Sequence, residues 1–275
     1  FGLLISSCQE KEEKKPNFVF ILVDDLGWAD VKANYPETFY ETPHLDQMAA
    51  EGMRFTQAYA AHPVCSPTRA ALMTGKHPNR LDITDWIPGF DKFEERRPIS
   101  TPAIRDELAL EETTLAEKFK GNGYKTFFIG KWHLGEEEKY WPQHQGFDKN
   151  IGGWRVGAPQ LKKGVSNGYY SPYGNPTLPD GPEGEYLTDR LTDESLQLIR
   201  ENSAEPFLLY LSFYSVHTPI QPAPKRHDYF INKKEGIILP EGQAAYRQEG
   251  EGQTKLVQDN AAYASMVAAM DENVG

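Results

Sequence analysis

Three apolar runs, each stopping at residues that carry charge or a titratable ring, constrain this chain more than any other feature. Asn17 to Val23 ends on Asp24-Asp25, Lys125 to Gly130 ends on Lys131-Trp132-His133, and Phe207 to Phe213 runs through Tyr214-Ser215-Val216 into His217. Short runs rich in β-branched and aromatic residues predict strands buried on both faces. Helical patterns lie between them. Thr42-Pro43 with Leu45, Met48 and Ala49 closes at Gly52, Cys65 to Thr74 closes at Gly75, and Thr114 to Phe119 is ended by Gly121 and Gly123. Leu187, Leu191, Leu198 and Ile199 form the stripe of a crossover helix, Val257, Ala261, Ala264 and Ala268 share one face of a last helix, and Met53 to Tyr59 alternates like a further strand. The expected fold is α/β: a largely parallel or mixed central sheet with helices on both faces. Residues 151–183 and 218–254 read as long loops.

In open sheets of this kind the ligand site lies beyond the carboxyl ends of the strands, where Asp24, Asp25, Lys131, His133 and His217 are delivered together. The chain has 275 residues with 40 acidic against 29 basic, a formal charge of −11. That balance argues against nucleic acid or an anionic membrane surface as a partner, so an anionic substrate needs a local positive site.

The sequence opens on Phe1-Gly2-Leu3-Leu4-Ile5-Ser6-Ser7-Cys8, which reads as the end of a signal-peptide apolar region with a bacterial lipobox, followed by a charged tether to Pro16. The expectation is residues 1–16 as signal remnant and tether, lipid-anchored through Cys8 at the periplasm or cell surface, and 17–275 as the N-terminal, incomplete part of a folded domain. A disulfide between Cys8 and Cys65, the two cysteines, would tie a tether to a helix start and is not expected.

Asp24-Asp25 beyond a buried strand is open to two readings: a solvated turn, or carboxylates paired on a hard cation, for which oxygen ligation suggests calcium or magnesium. Cys65, at a helix start where unpaired N–H groups favour anions, is either a thiolate nucleophile or a small packed cysteine. Arg69, one turn on, can grip an oxyanion with two N–H groups.

Cys65-Ser66-Pro67-Thr68-Arg69 with the continuation Ala70-Ala71-Leu72-Met73-Thr74-Gly75-Lys76 closely resembles the signature of type I, formylglycine-dependent sulfatases of the alkaline-phosphatase-like superfamily. The resemblance spans nearly the whole chain. Asn17 to Asp25 is similar to the family's first strand with its metal-binding aspartates, Gly130-Lys131-Trp132-His133-Leu134-Gly135 to its second signature, and His217-Thr218-Pro219 to its later active-site histidine.

The resemblance implies that Cys65 is converted to formylglycine by a formylglycine-generating enzyme. Its hydrate would present two hydroxyls, one bound with Asp24 and Asp25 to Ca2+ or Mg2+, so that metal ligands would be Asp24, Asp25 and residue 65. Arg69 and Lys131 would offset charge on the sulfuryl oxygens, His217 would protonate the leaving alcohol, and His133 would take the proton from the second hydroxyl. The family's later Asp-Asn metal pair and further lysine do not follow His217 here. Asp271-Glu272-Asn273 resembles the helix before that pair, so the chain is expected to be the N-terminal part of the catalytic domain and inactive as it stands. The implied substrate is a sulfate monoester on a sulfated glycan, with Trp154, Tyr169, Tyr170 and Tyr173 either stacking on sugar rings or pinning their glycine-rich loop. A formylglycine-dependent phosphonate or phosphodiester hydrolase and a non-catalytic glycan-binding lipoprotein are the alternatives.

Overall fold

The computed structural model describes residues 14–89, 103–239 and 241–275. Cys8, the position of the expected lipid anchor, and the rest of the expected signal remnant and tether up to residue 13 lie outside the described residues. The strands are β1 (Phe18–Val23), β2 (Lys125–Gly130), β3 (Lys149–Ile151), β4 (Leu161–Lys162), β5 (Ser166–Asn167), β6 (Phe207–Phe213), β7 (Tyr246–Glu249) and β8 (Gly252–Lys255). The α-helices are α1 (Pro43–Glu51), α2 (Cys65–Thr74), α3 (Leu115–Gly121), α4 (Leu187–Glu201), α5 (His227–Glu235) and α6 (Ala261–Val274).

The central sheet runs β1-β6-β2-β3 with every neighbouring pair parallel. Alternation along its strands sends side chains to two separate cores. Phe127, Ile129, Leu209 and Leu211 join Leu187, Leu191 and Leu198 of α4 and the buried faces of α5 and α6. Phe128 and Tyr210 point the other way, against Ala70 and Met73 of α2, Ala116 of α3, Trp132 and Phe147. Helices therefore cover both faces, as the parallel arrangement requires.

β1 departs from the expectation of a strand buried on both faces. It is the terminal strand among the described residues, and Phe18 and Val19 are 42% and 50% exposed. Met53 to Tyr59 forms no strand; residues 51–61 are exposed with no described strand alongside. Alternation supplies one apolar face, but a strand exists only once a neighbour accepts its hydrogen bonds. The expected loop 218–254 holds α5 and the antiparallel β7–β8 hairpin, which runs on to Lys255. No helix among the described residues is long and apolar enough to cross a membrane.

Two polar contacts fix the helices beyond the sheet. The buried Asp271 carboxylate of α6 accepts the backbone N–H groups of His44 and Leu45 at 3.1 and 2.8 Å, closing the N-terminus of α1 from outside that helix. Glu41 takes Lys233 and Tyr229 of α5 at 2.8 and 2.6 Å, together with Arg226. Burial alone would raise the Glu41 carboxyl, but these three donors outweigh it and hold it at about 2. A depressed carboxyl stabilises the fold above its unfolded value of 4.5 and loses that contribution as pH falls towards 2. Because the group is a quarter exposed, Glu41→Gln should cost only about 1 kcal/mol at pH 7. Urea unfolding at several pH values should show the wild type losing more stability than the variant between pH 4.5 and 2; parallel curves would contradict the assignment.

Candidate active site

The site forms because three adjacent parallel strands end together. Val23 pairs with Phe213 and Gly130 with Ser212, and the ladder continues past the strands: Asp24 N donates to Ser215 O, Val216 N to Asp24 O, and Lys131 N to Ser212 O. Gly130 is obligatory at this junction, since at φ +101° a Cβ would lie 1.9 Å from Ser212 O. The first turn of α2 brings Cys65, Ser66 and Arg69 to the same end.

Arg69 and Lys131 are both buried and both turn onto Asp24. One guanidinium nitrogen of Arg69 donates to Asp24 Oδ1 at 2.7 Å; the other donates to Lys131 O at 2.6 Å and Ser212 Oγ at 2.7 Å. Lys131 Nζ donates to Asp24 Oδ2. Burial would raise the Asp24 carboxyl, but the two cations outweigh it and hold it at about 2. Burial and neighbouring Arg69 push Lys131 below its ordinary value. Charges this deep are tolerable only because each has its partner.

His133 is held at φ +58° and its tautomer is fixed. Nε2 lies 2.6 Å from Ile87 O, which can only accept, so Nε2 carries the hydrogen and Nδ1 presents a lone pair to Cys65 Sγ at 3.2 Å. Burial, then the Lys131 charge, lowers its pKa to about 3, so the ring is a neutral acceptor facing residue 65 at ordinary pH. Ser66 completes this junction: its hydroxyl donates to His133 O and accepts Ile87 N. On the ring's other side lies Gly157, where a Cβ would sit 2.3 Å from the imidazole. Gly157→Ala must therefore push His133 or its own loop aside. We expect a fall of about 100-fold in turnover of the intact protein with folding retained; activity within twofold of wild type would show the ring is not held from this side.

His217 is three-quarters buried at the rim. Its Nδ1 donates to Thr218 O at 2.8 Å, leaving Nε2 aimed at Asp25 Oδ2, 3.6 Å away. Asp24, Asp25 and His217 present ligand atoms all within 4.8 Å of one another. Two carboxylates and one imidazole lone pair fit a divalent cation, and a carboxylate facing a lone pair is relieved by one. The resemblance implies a metal-binding hydroxyl on the hydrated aldehyde of residue 65; the Cys65 sulfur itself faces His133, and Asp24, Asp25, Cys65 and Arg69 share the lining of a cavity of about 270 Å³. A larger cavity of about 720 Å³ shares Asp25 and Cys65 with it and is lined also by His133, His217, Trp86, Glu136, Arg155 and Gln160.

The structure thus brings Asp24, Asp25, Cys65, Arg69, Lys131, His133 and His217 to one place. It does not turn the loop tyrosines to a ligand: Tyr169 and Tyr173 are buried, and the Tyr169 hydroxyl meets Tyr214 O and His217 O at 2.8 and 2.7 Å. Tyr170 bonds Pro222 O and Tyr173 bonds Glu185, so these rings pin the loop, and Tyr169 also steadies the backbone of His217. Sequence alone assigns no role to Ser212, the one aliphatic hydroxyl in an otherwise apolar or aromatic strand, although that polar interruption is the available signal. Ile87 and Gly157 carried no such signal.

The family model for sulfatases matches residues 16–275. The chain is 36% identical over 241 residues to arylsulfatase G of Homo sapiens, covering 75% of this chain and 42% of that protein. It is 35% identical over 229 residues to N-acetylgalactosamine-6-sulfatase of Sus scrofa, covering 74% and 40%. The crystal structure of Ps i-CgsB in complex with k-i-k-neocarrahexaose superposes with a TM-score of 0.69 at 28% identity, covering 95% of this chain and 54% of that one. The chain thus spans about two fifths of the length of these curated relatives. With its signature residues gathered at one sheet end and its length matched from residue 16 onward, the chain belongs to the sulfatase family.

Proposed function

We propose that the intact protein is a sulfuric ester hydrolase that removes sulfate from a glycan, using formylglycine made from Cys65 by a formylglycine-generating enzyme, with Ca2+ or Mg2+ at Asp24 and Asp25. The observation that carries this reading is the pairing of residue 65 with a neutral, tautomer-fixed His133 on the wall of one cavity beside the carboxylate group. Relatives named arylsulfatase G and N-acetylgalactosamine-6-sulfatase, and a similar structure in complex with k-i-k-neocarrahexaose, support the substrate class. Anchorage through Cys8 at the periplasm or cell surface belongs to the same proposal, since a polymeric glycan is met outside the cytoplasm.

A divalent cation, when bound, lowers the pKa of an adjacent hydroxyl. With residue 65 as the hydrated aldehyde, one hydroxyl would attack sulfur as it gives up its proton, and the sulfur–oxygen bond to the alcohol would break with the departing oxygen taking up a proton. His133 Nδ1 takes the proton of the other hydroxyl, so the sulfated hydrate collapses, releases sulfate and restores the aldehyde. Arg69 and Lys131 hold Asp24 in place and supply positive charge behind the reacting group. His217 Nε2 at the rim can serve the leaving oxygen or the cation. His217→Ala separates these: a loss that grows with leaving-group pKa marks the acid, and a uniform loss eased by added calcium marks the ligand.

The test is parallel assay of an aryl sulfate and an aryl phosphodiester with the intact protein, before and after chelation. We expect preference for the sulfate and loss of activity to the chelator; a wide preference for the phosphodiester would overturn the reaction class.

A further inference from the structure

We infer that Arg155 is a specificity residue that binds a second anionic group of the substrate, distinct from the sulfate that is cleaved; this rests on the sulfatase reading above. Among the described residues lining the 720 Å³ cavity, Arg155 is the only lysine or arginine, while Asp25 and Glu136 are acidic. The chain as a whole carries −11, so a polyanionic glycan approaching this mouth is repelled except where a cation meets it. Arg69 and Lys131 cannot serve that purpose, because both are buried and committed to Asp24.

Arg155 is poised differently. It is 48% exposed, pairs with the equally exposed Glu136 at 3.2 Å and lies 5.5 Å from the Trp154 ring centre. A rim pair this exposed contributes little to stability, so the fold loses little when the pair opens. Exchanging Glu136 for a substrate oxyanion would be easy, and the planar guanidinium can take a sulfate or carboxylate with two parallel bonds. The loop that carries it is held to the site at two points, through His133 N donating to Trp154 O at 3.2 Å and through Gly157 against the His133 ring. The backbone on either side of Arg155 is therefore tied to His133, the neighbour of residue 65, and the reach of the side chain bounds how far the recognised anion can lie from the cleaved one.

The experiment compares kcat and KM of the intact protein on three substrates: a monosulfated sugar, the same sugar with a second sulfate, and a monosulfated sugar linked to a uronate. We expect wild type to favour a doubly anionic substrate, the arm that gains identifying sulfate or carboxylate. Arg155→Gln should lower that advantage about tenfold, through KM, with Arg155→Lys recovering part of it. An advantage unchanged in Arg155→Gln, or absent from wild type, would overturn the assignment. Failure of wild type to hydrolyse any sulfate ester, aryl sulfate included, would instead strike the reading on which it rests.

Discussion

Cys65→Ala in the intact protein should lower sulfate ester turnover by roughly 10⁴-fold or more, because the residue supplies the nucleophile and nothing nearby can replace it. The fold should survive. Cys65 is only partly buried, its side chain makes one polar contact, to His133 Nδ1, and His133 keeps its bond to Ile87 O without it. Thermal unfolding should therefore shift by a degree or two at most, corresponding to about 0.5 kcal/mol for one lost contact. Activity within tenfold of wild type would remove residue 65 from the chemistry. Cys65→Ser should be equally slow in the steady state but for another reason: a single hydroxyl can take up sulfate yet has no partner hydroxyl for His133 to deprotonate. Sulfate retained on that serine, seen by mass, would show the step at which it stops.

Asp24→Ala should produce the largest loss of stability, about 3–5 kcal/mol, because it leaves two buried cations without their counter-ion. Lys131 is fully buried and Arg69 is 4% exposed, so neither can turn to water without opening the sheet end. Urea unfolding in the presence of chelator isolates this contribution from any bound cation. Combining Asp24→Ala with Lys131→Met should recover part of the loss, since one stranded charge is removed and its site becomes apolar. Equal stability of wild type and Asp24→Ala, or no recovery in the double variant, would mean the cations find solvent or other partners.

The strand ends were legible because their signal is local. An apolar run followed by Asp24-Asp25, by Lys131 and His133, or by His217 needs no partner to be read, and parallel packing brings such ends to one side. The same logic could not give strand order: nothing within Phe18 to Val23 says that a neighbour lies only on one edge, so its partial exposure appears only with β6 placed beside it. Met53 to Tyr59 shows the converse, an alternating pattern without a strand. β3, at three residues, was too short to stand out, and α5 lies in polar sequence, holding its place through Phe230 and the Glu41 contacts rather than through a long apolar stripe.

Within the site, residue types were readable and their mutual geometry was not. The second signature marks Lys131 and His133, yet only the structure shows Lys131 turned onto Asp24 and His133 onto residue 65. Its orientation depends on the carbonyl of Ile87, the hydroxyl of Ser66 and the bare backbone of Gly157, three groups spread over ninety residues of chain whose chemistry is silent in isolation. The tyrosines of residues 169–173 were ambiguous for a related reason. An aromatic ring in a glycine-rich loop can face a sugar or a core, and here the hydroxyl partners on Tyr214, His217, Pro222 and Glu185 decide for the core.

The proposed mechanism depends on the chemical identity of residue 65, which the mass of the tryptic peptide spanning it measures directly in catalytically active, natively matured protein. It predicts the aldehyde or its hydrate in the active fraction, with turnover rising in proportion to that form. A peptide that carries an unmodified thiol in fully active protein would contradict it.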